Sequence, residues 1–439
     1  MLESQQEKWE SQLLRGNLLG VEESLRQEIE KLYSGTLASL LNEVGQSEAF
    51  KEKLVAHYKS NEVGDFRLRS TTVQVQNGHR ISYKSYYARC RSGNICGHLS
   101  RRYWNIEQGA SLAYRSILSA FSVVSISFAV GLSLLTLVSI KSNKTRMRDL
   151  SISLAQSSLE QGDRILLEEE ESLWGKRVVI GLDGGRSRMR ENTGKRNKRG
   201  NRCYHTPWRE PKVMVIQLLD EDGNLERKFH LPLYLATMSS MKKAVERLGK
   251  LLEKLDIQKA EHIQFIADGA QSIWSNIMKL FRKLGLNFSK VTMTLDYYHA
   301  VQHLNTLIGF LPKQADEKAQ LIVLKTYKQW LWKGKINELI TDFKQRMRKI
   351  KVKLSKEMKR ELKYFRKHRH RMNYSLYKRR KLLCGSGLVE STVRRVVNLR
   401  FKGTSCFWKK ENLERLLFLR CAFLAGRWSN LLKANQLCA

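Results

Sequence analysis

The strongest constraint on the fold is the order of short apolar runs between residues 176 and 295. Residues 176–182 (Lys-Arg-Val-Val-Ile-Gly-Leu) read as a strand ending at Asp183. Residues 212–219 read as a second strand, closed by the turn Asp220-Glu221-Asp222-Gly223, and residues 229–235 as a third. Helical spacing follows at 238–255, then a fourth strand at 262–267, a helix at 271–284 and a fifth strand at 291–295. Three strands, helix, strand, helix, strand predicts an α/β domain built on a mixed sheet with helices on its faces.

The regions around this core differ in pattern. Residues 1–65 carry Leu37, Leu40, Leu41 and Val44 among charges, the spacing of amphipathic helices used for packing or oligomerisation. In residues 66–105, Thr71, Thr72, Val73 and Val75, then Ile81 and Tyr83, flank Asn77-Gly78, which predicts a β-hairpin. Residues 106–173 read as helical. Within them, 116–140 contain no charge and are long enough to span a bilayer, or equally to form two buried helices. Serines at 116, 119, 122, 125, 127, 133 and 139, with Gly131, favour the buried pair. A polar turn at 139–143 and a basic stretch with Met147, Leu150, Ile152 and Leu154 have the shape of a helix-turn-helix DNA reader. Lys144, Arg146 and Arg148 would then face phosphates or the major groove, although any two packed helices share this shape. Residues 174–439 form the strand-bearing domain, with a helical insertion at about 312–383.

Charge narrows the partner. The chain has 79 Lys and Arg against 42 Asp and Glu, a net +37, which suits a polyanion. Nucleic acid is the first candidate, ahead of an acidic membrane surface or a ribosome. Residues 344–381, with Arg366, Lys367, Arg369 and Arg371, are so one-sided in sign that they would repel themselves unless solvated or laid beside a polyanion. Seven scattered cysteines fit reduced thiols, and the first residues lack the layout of an export signal, so a cytoplasmic location is expected. Cys90, Cys96 and His98 are irregularly spaced for zinc, and ordinary thiols are the other reading.

Three carboxylates stand out. Asp183 in Gly181-Leu182-Asp183-Gly184-Gly185 and Asp268 in Phe265-Ile266-Ala267-Asp268-Gly269-Ala270 each end a strand, as functional groups at a sheet edge or as plain turn punctuation. Glu390 follows the glycine turn Gly385-Ser386-Gly387 in the first turn of a helix, where the helix dipole alone would favour a carboxylate. The functional alternative is phosphoryl transfer on a DNA backbone, which uses two divalent ions about 4 Å apart on acidic oxygen ligands. Hard ions such as magnesium keep several waters, so three carboxylates from separate elements suffice.

From Asp183 to Arg420 the chain resembles bacterial DDE insertion-sequence transposases, closest to the ISKra-type group and distantly similar to Mutator-like elements. The matching residues are Asp183-Gly184-Gly185-Arg186, Trp208-Arg209-Glu210-Pro211-Lys212, Asp268-Gly269-Ala270 with Trp274, Asp296-Tyr297-Tyr298-His299-Ala300, Gly385-Ser386-Gly387-Leu388-Val389-Glu390, and Arg400-Phe401-Lys402-Gly403 with Trp408 and Arg420. The resemblance implies a ribonuclease H-like mixed sheet with a helical insertion, preceded by a mainly helical N-terminal region. It implies that Asp183, Asp268 and Glu390 hold two magnesium ions, with manganese as a substitute, for cleaving a transposon end whose freed 3′-hydroxyl attacks target DNA. His299 is expected beside the metals or the scissile phosphate, packing or helix capping being its other reading. Double-stranded DNA is the implied partner, met by Arg186, Lys212, Arg366, Lys367, Arg394 and Lys402. A homo-oligomeric assembly, nucleoid-associated and not in a membrane, is the further expectation. Residues 71–90 look like the segment such proteins carry after a paired-cysteine module whose CxxC is missing here, and 127–156 like their helix-turn-helix. The rivals are a DNA-binding protein with a silent site and a structure-selective nuclease.

Overall fold

The structure, a computed structural model, describes all residues except 1–2, 59–62, 91–94, 169, 227–231, 312–316, 405 and 437–439, with backbone alone at 3–4, 63–65, 89–90, 95–96, 164 and 317–320. The chain divides into two units, Met1–Ser157 with Leu432–Ala439, and Ser158–Leu431.

The first unit opens with α1 (Glu3–Leu14), α2 (Leu18–Gln46) and α3 (Glu48–His57), helices where the leucine spacing predicts them, although Leu40 and Val44 are exposed. The hairpin is also found: β1 (Val63–Gln74) and β2 (Arg80–Cys90) pair antiparallel, and Gly78 supplies the positive φ of 83° that their turn needs. A short β3 (Ile95–His98) extends the sheet and leads into α4 (Leu99–Tyr103). Val73, Tyr83 and Ile106 form one buried cluster, against which Leu37 and Leu41 of α2 pack. The side chains of Cys90 and Cys96, on which the zinc reading depends, lie outside the described residues, as does Cys438.

The uncharged stretch folds as two helices, α5 (Leu112–Val124) and α6 (Phe128–Leu137), followed by α7 (Lys144–Gln161). Serines make the break. Ser125 ends α5 in extended backbone, and the Ser127 hydroxyl accepts from the Val130 amide to start α6. Among the described residues no helix is long and apolar enough to cross a membrane. Gly131 admits Met147 at the crossing of α6 and α7, and Tyr114, Leu118, Leu135, Met147 and Leu150 form the buried core of the three helices.

In the second unit, β4 (Arg177–Gly184), β9 (Lys212–Leu219), β10 (Leu233–Thr237), β11 (His262–Ala267) and β12 (Val291–Leu295) make one sheet in the order β10-β9-β4-β11-β12. Between β4 and β9 the chain forms β5 (Ser187–Arg188), β6 (Glu191–Arg196), β7 (Arg202–His205) and β8 (Trp208–Arg209), a doubled hairpin outside this sheet. β9 runs antiparallel to β4 and β10, whereas β4, β11 and β12 run parallel, so the sheet is mixed. The third strand begins later than the sequence predicts, and residues 229–231 of that expectation lie outside the described residues.

Two helices interrupt the strands as expected, α8 (Met241–Lys254) and α9 (Gln271–Lys283). Phe265 of β11 meets Trp274 and Phe281 of α9 edge to face, 5.6 and 6.1 Å between centroids, which seats that helix on the sheet. After β12 come α10 (Tyr297–Ile308), α11 (Glu317–Trp332), α12 (Ile336–Lys349), α13 (Lys356–His368) and α14 (Tyr374–Arg379). The basic stretch 344–381 is therefore several helices whose apolar residues, among them Met347, Leu362 and Phe365, are buried while most of the cations face outward. The remaining helices are α15 (Gly387–Val393), α16 (Leu399–Phe401), α17 (Lys410–Leu424) and α18 (Trp428–Gln436).

The helix bearing Glu390 is seated by a missing side chain. A Cβ on Gly181 of β4 would lie 2.3 Å from Val389 Cγ2 and 3.1 Å from Val215 Cγ1. Both neighbours are β-branched and stiff, so neither can swing aside cheaply. Gly181→Ala should therefore lower stability by about 1–3 kcal/mol in urea unfolding, and Val389→Ala in the same chain should recover part of the loss.

Candidate active site

Three adjacent parallel strands bring acidic residues to one edge. Leu182 of β4 pairs with Ala267 of β11, and Ala267 with Leu295 of β12, so Asp183, Asp268 and Asp296 follow in line. This register places Asp183 and Asp268 side by side.

Asp296 is fully buried and fully engaged. It caps α10 by accepting from the amides of Tyr298 and His299, at 3.3 and 3.1 Å, and takes the Ser386 amide at 2.8 Å. His299 Nδ1 lies 2.5 Å from Asp296 Oδ2, the oxygen that also accepts the His299 amide. Burial works to raise the Asp296 pKa, but the bonds from His299 and the Ser386 amide outweigh it, and the carboxyl sits below its ordinary value. The same bond to Asp296 raises His299 above the usual histidine value, against burial and helped by the charges of Asp268 and Asp183.

Asp183 behaves oppositely. Burial pushes its pKa up to about 6, the Gly184 amide opposes this, and the nearby Asp268 charge adds to it. Asp268 accepts from the Ala270 amide at 2.9 Å. Among the described residues neither carboxylate is paired with Lys or Arg.

Glu390 reaches this region on α15, tied at two points: Val389 rests on Gly181, and the Ser386 amide holds Asp296. Its carboxylate is exposed and accepts from Ser386 Oγ at 3.4 Å. Among the described residues no three His, Cys, Asp or Glu side chains stand arranged to hold a metal ion. The donor chemistry at Asp183 and Asp268 nonetheless fits a hard dication, because two adjacent carboxylates with no Lys or Arg partner are what such an ion neutralises.

The sequence did not single out Tyr364 of α13. A Cβ on Gly269 would lie 2.2 Å from its ring, so the glycine after Asp268 admits the tyrosine. His303, one turn after His299 on α10, stacks on that ring at 3.7 Å and binds buried Glu361 through Nδ1 at 2.6 Å. Burial and the charges of Asp268, Asp296 and Glu361 raise the phenol pKa. No spacing of residue types connects Gly269 to Tyr364; only the folded helix does.

The expected DNA-binding residues fall in several places. Lys212 pairs in register with Gly184, binds Glu210 at 2.7 Å, and lines a cleft of about 710 Å³ that also holds Asp268. Arg186 is exposed just after β4, and Arg394 and Lys402 are exposed beyond Glu390. Arg366 and Lys367 line a second cleft, of about 650 Å³, with Lys344, Lys363 and Arg369. Lys144, Arg146 and Arg148 belong to the first unit, where Arg148 is exposed and pairs with Asp149 at 2.7 Å. Cys203, Cys384, Cys406 and Cys421 are free thiols.

No protein-family model and no curated protein matches this chain. Among solved structures it is similar to a Drosophila P element transposase strand transfer complex, at 11% identity and a TM-score of 0.26, over 74% of this chain and 80% of that one. A likeness that slight carries no argument.

The raised pKa has a measurable cost. A carboxyl that ionises less readily folded than unfolded contributes stability that is full below about pH 4 and is lost as pH rises through about 6. Asp183→Asn cannot ionise, so it should be more stable than the unaltered chain by about 1–3 kcal/mol at pH 8 and nearly equal at pH 4. Urea unfolding at the two pH values measures this, and equal stability at pH 8 would refute the raised pKa of Asp183.

Proposed function

We propose that this protein is a DNA transposase of the DDE type, with a ribonuclease H-like sheet, that cleaves and joins strands at the ends of an insertion sequence. The observation that carries the reading is the pair Asp183 and Asp268 at the ends of adjacent parallel strands, with no Lys or Arg ion pair among the described residues, in a chain of net charge +37. Two carboxylates alone would repel a phosphate diester, so their placement makes chemical sense with a divalent cation between them and the substrate.

Asp183 and Asp268, joined by Glu390, would hold magnesium or manganese. Bound there, the ions would supply Lewis-acid stabilisation of the attacking and leaving oxygens. His299, anchored through Nδ1 to Asp296, keeps Nε2 for a phosphate oxygen, and its raised pKa favours the donating form. Lys212 contributes positive charge in the same cleft. The resemblance of the motifs from Asp183 to Arg420 to the ISKra-type group supports insertion-sequence ends as the substrate, and a homo-oligomer would be needed to hold two ends together.

The test uses the full chain with DNA carrying its own coding sequence and flanks. Nicking and end joining should require magnesium or manganese. Asp183→Asn, Asp268→Asn and Glu390→Gln should each reduce both by about two to four orders of magnitude while DNA affinity changes little, since these groups act on the reacting phosphate rather than in docking. Binding without cleavage by the unaltered chain would leave a DNA-binding protein with a silent site. Cutting of branched DNA without joining would leave a structure-selective nuclease.

A further inference from the structure

The ribbon formed by β6 and β7 has no part in the sheet or its core. From Glu191 to His205 nearly every residue is exposed, and no large apolar side chain lies at its tip. Lys195, Arg196, Lys198, Arg199 and Arg202 crowd the end of this ribbon, and Glu191 at its foot is the single acidic residue. That Glu191 is already committed to Arg209, which grips it with two nitrogens at 3.0 and 3.2 Å. Arg196 donates to the Gly200 carbonyl at 2.8 Å, and among the described residues the other four cations have no ion pair. Five like charges on so small an element repel one another, and nothing within the ribbon offsets this.

The tip is nonetheless shaped. Asn197 accepts through its side chain from the amides of Arg199 and Asn201, both at 3.0 Å, and its own amide donates to the Asn201 carbonyl at 2.8 Å. Arg190 stacks on Tyr204 at 3.9 Å, and Arg188 lies over Trp208 at 5.0 Å, so the foot is fixed by ring contacts. This is an arm with a root braced by ring contacts and a cationic end.

The cleft that contains Asp268 leads to it. Its lining runs from Asp268 and Gly184 past Glu210 and Lys212 to Arg209 and Glu191 at the root of the ribbon. The starts of α8 and α9 also line it, through Ser240 and Ala270, adding backbone amides that favour an anion.

We propose that the β6–β7 ribbon is a DNA arm: it lies along the duplex that continues out of this cleft and contacts its phosphates through Lys195, Arg196, Lys198, Arg199 and Arg202. The inference rests on the reading of the carboxylate site as one that acts on DNA, and adds the path of the duplex beyond it. A two-stranded ribbon suits this partner, since the major groove, about 12 Å wide, admits one. β6 is bulged at Gly194 and pairs along the four residues of β7, a length of about 13 Å, which corresponds to about four base pairs at 3.4 Å each.

The experiment compares the unaltered chain with a variant carrying Lys195→Gln, Arg196→Gln, Lys198→Gln, Arg199→Gln and Arg202→Gln. A second variant changes only Lys195, Lys198 and Arg199 to Gln, positions whose side chains make no bond that shapes the ribbon. Affinity for a long duplex at low salt should fall ten- to hundred-fold, and the slope of log affinity on log salt should shrink by about 0.9 for each phosphate no longer neutralised. The hydroxyl-radical footprint should shorten by about four base pairs on one side, while cleavage at saturating DNA is unchanged. Unchanged slope and footprint in a chain that still binds and cuts DNA would overturn the arm and leave the site's function standing. An unaltered chain that neither binds nor cuts DNA would overturn both.

Discussion

The second unit depends on one close approach, that of Val389 to the bare Cα of Gly181. Glu390 is far from Asp183 in the chain, and the bond of the Ser386 amide to Asp296 alone would leave its helix free to pivot. Val389, buried against β4, supplies the second fixed point. The sheet edge and the helix that faces it are then one body, and the position of every carboxylate follows from strand register and that approach.

Along this edge, chemically similar groups have opposite fates. Asp296 is surrounded by donors, and its charge is consumed in holding His299, the start of α10 and the turn before α15. Asp183 has one backbone donor and a carboxylate neighbour, and its ionisation is resisted. Two aspartates at equivalent positions on parallel strands thus divide into one that holds the structure and one that remains available to a ligand. Burial raises both, fully at Asp296 and in part at Asp183, and the difference arises from the number of N–H groups that reach each carboxylate.

Much of the scaffold was legible because burial leaves a periodic trace. The five strands of the second unit's main sheet, the Asn77-Gly78 hairpin and the helices of the first unit follow from apolar spacing and turn chemistry. The break in the uncharged stretch was readable from its serines, which compete for backbone bonds where leucine or valine would not. Asp183, Asp268 and Glu390 could be nominated from their place after apolar runs and a glycine turn. What remained hidden lacks either pattern. Tyr364 and His303 meet only through tertiary packing. The segment from 184 to 211 has almost no apolar alternation, so its strands leave no period of two to detect. Likewise, nothing in the composition of residues 432–439 signals that they join the N-terminal unit.

The position of the ribbon follows from the same topology. β4 and β9 are antiparallel neighbours, and an antiparallel pair can be closed by a connection of almost any length without moving either strand. An arm inserted there disturbs no other element and emerges beside Asp183, the last residue but one of β4. A parallel connection could not do this, because β11 and β12 are joined through α9, which must cross the sheet and pack on Phe265. The antiparallel connection is thus where this sheet can carry a long cationic extension next to its acidic edge, and it is where the extension occurs. An isolated two-stranded ribbon is marginal in water, so its order rests on the root contacts of Glu191, Tyr204 and Trp208. Those contacts stop short of the tip. The five cations there remain solvated and mutually repelling until an anion lies among them.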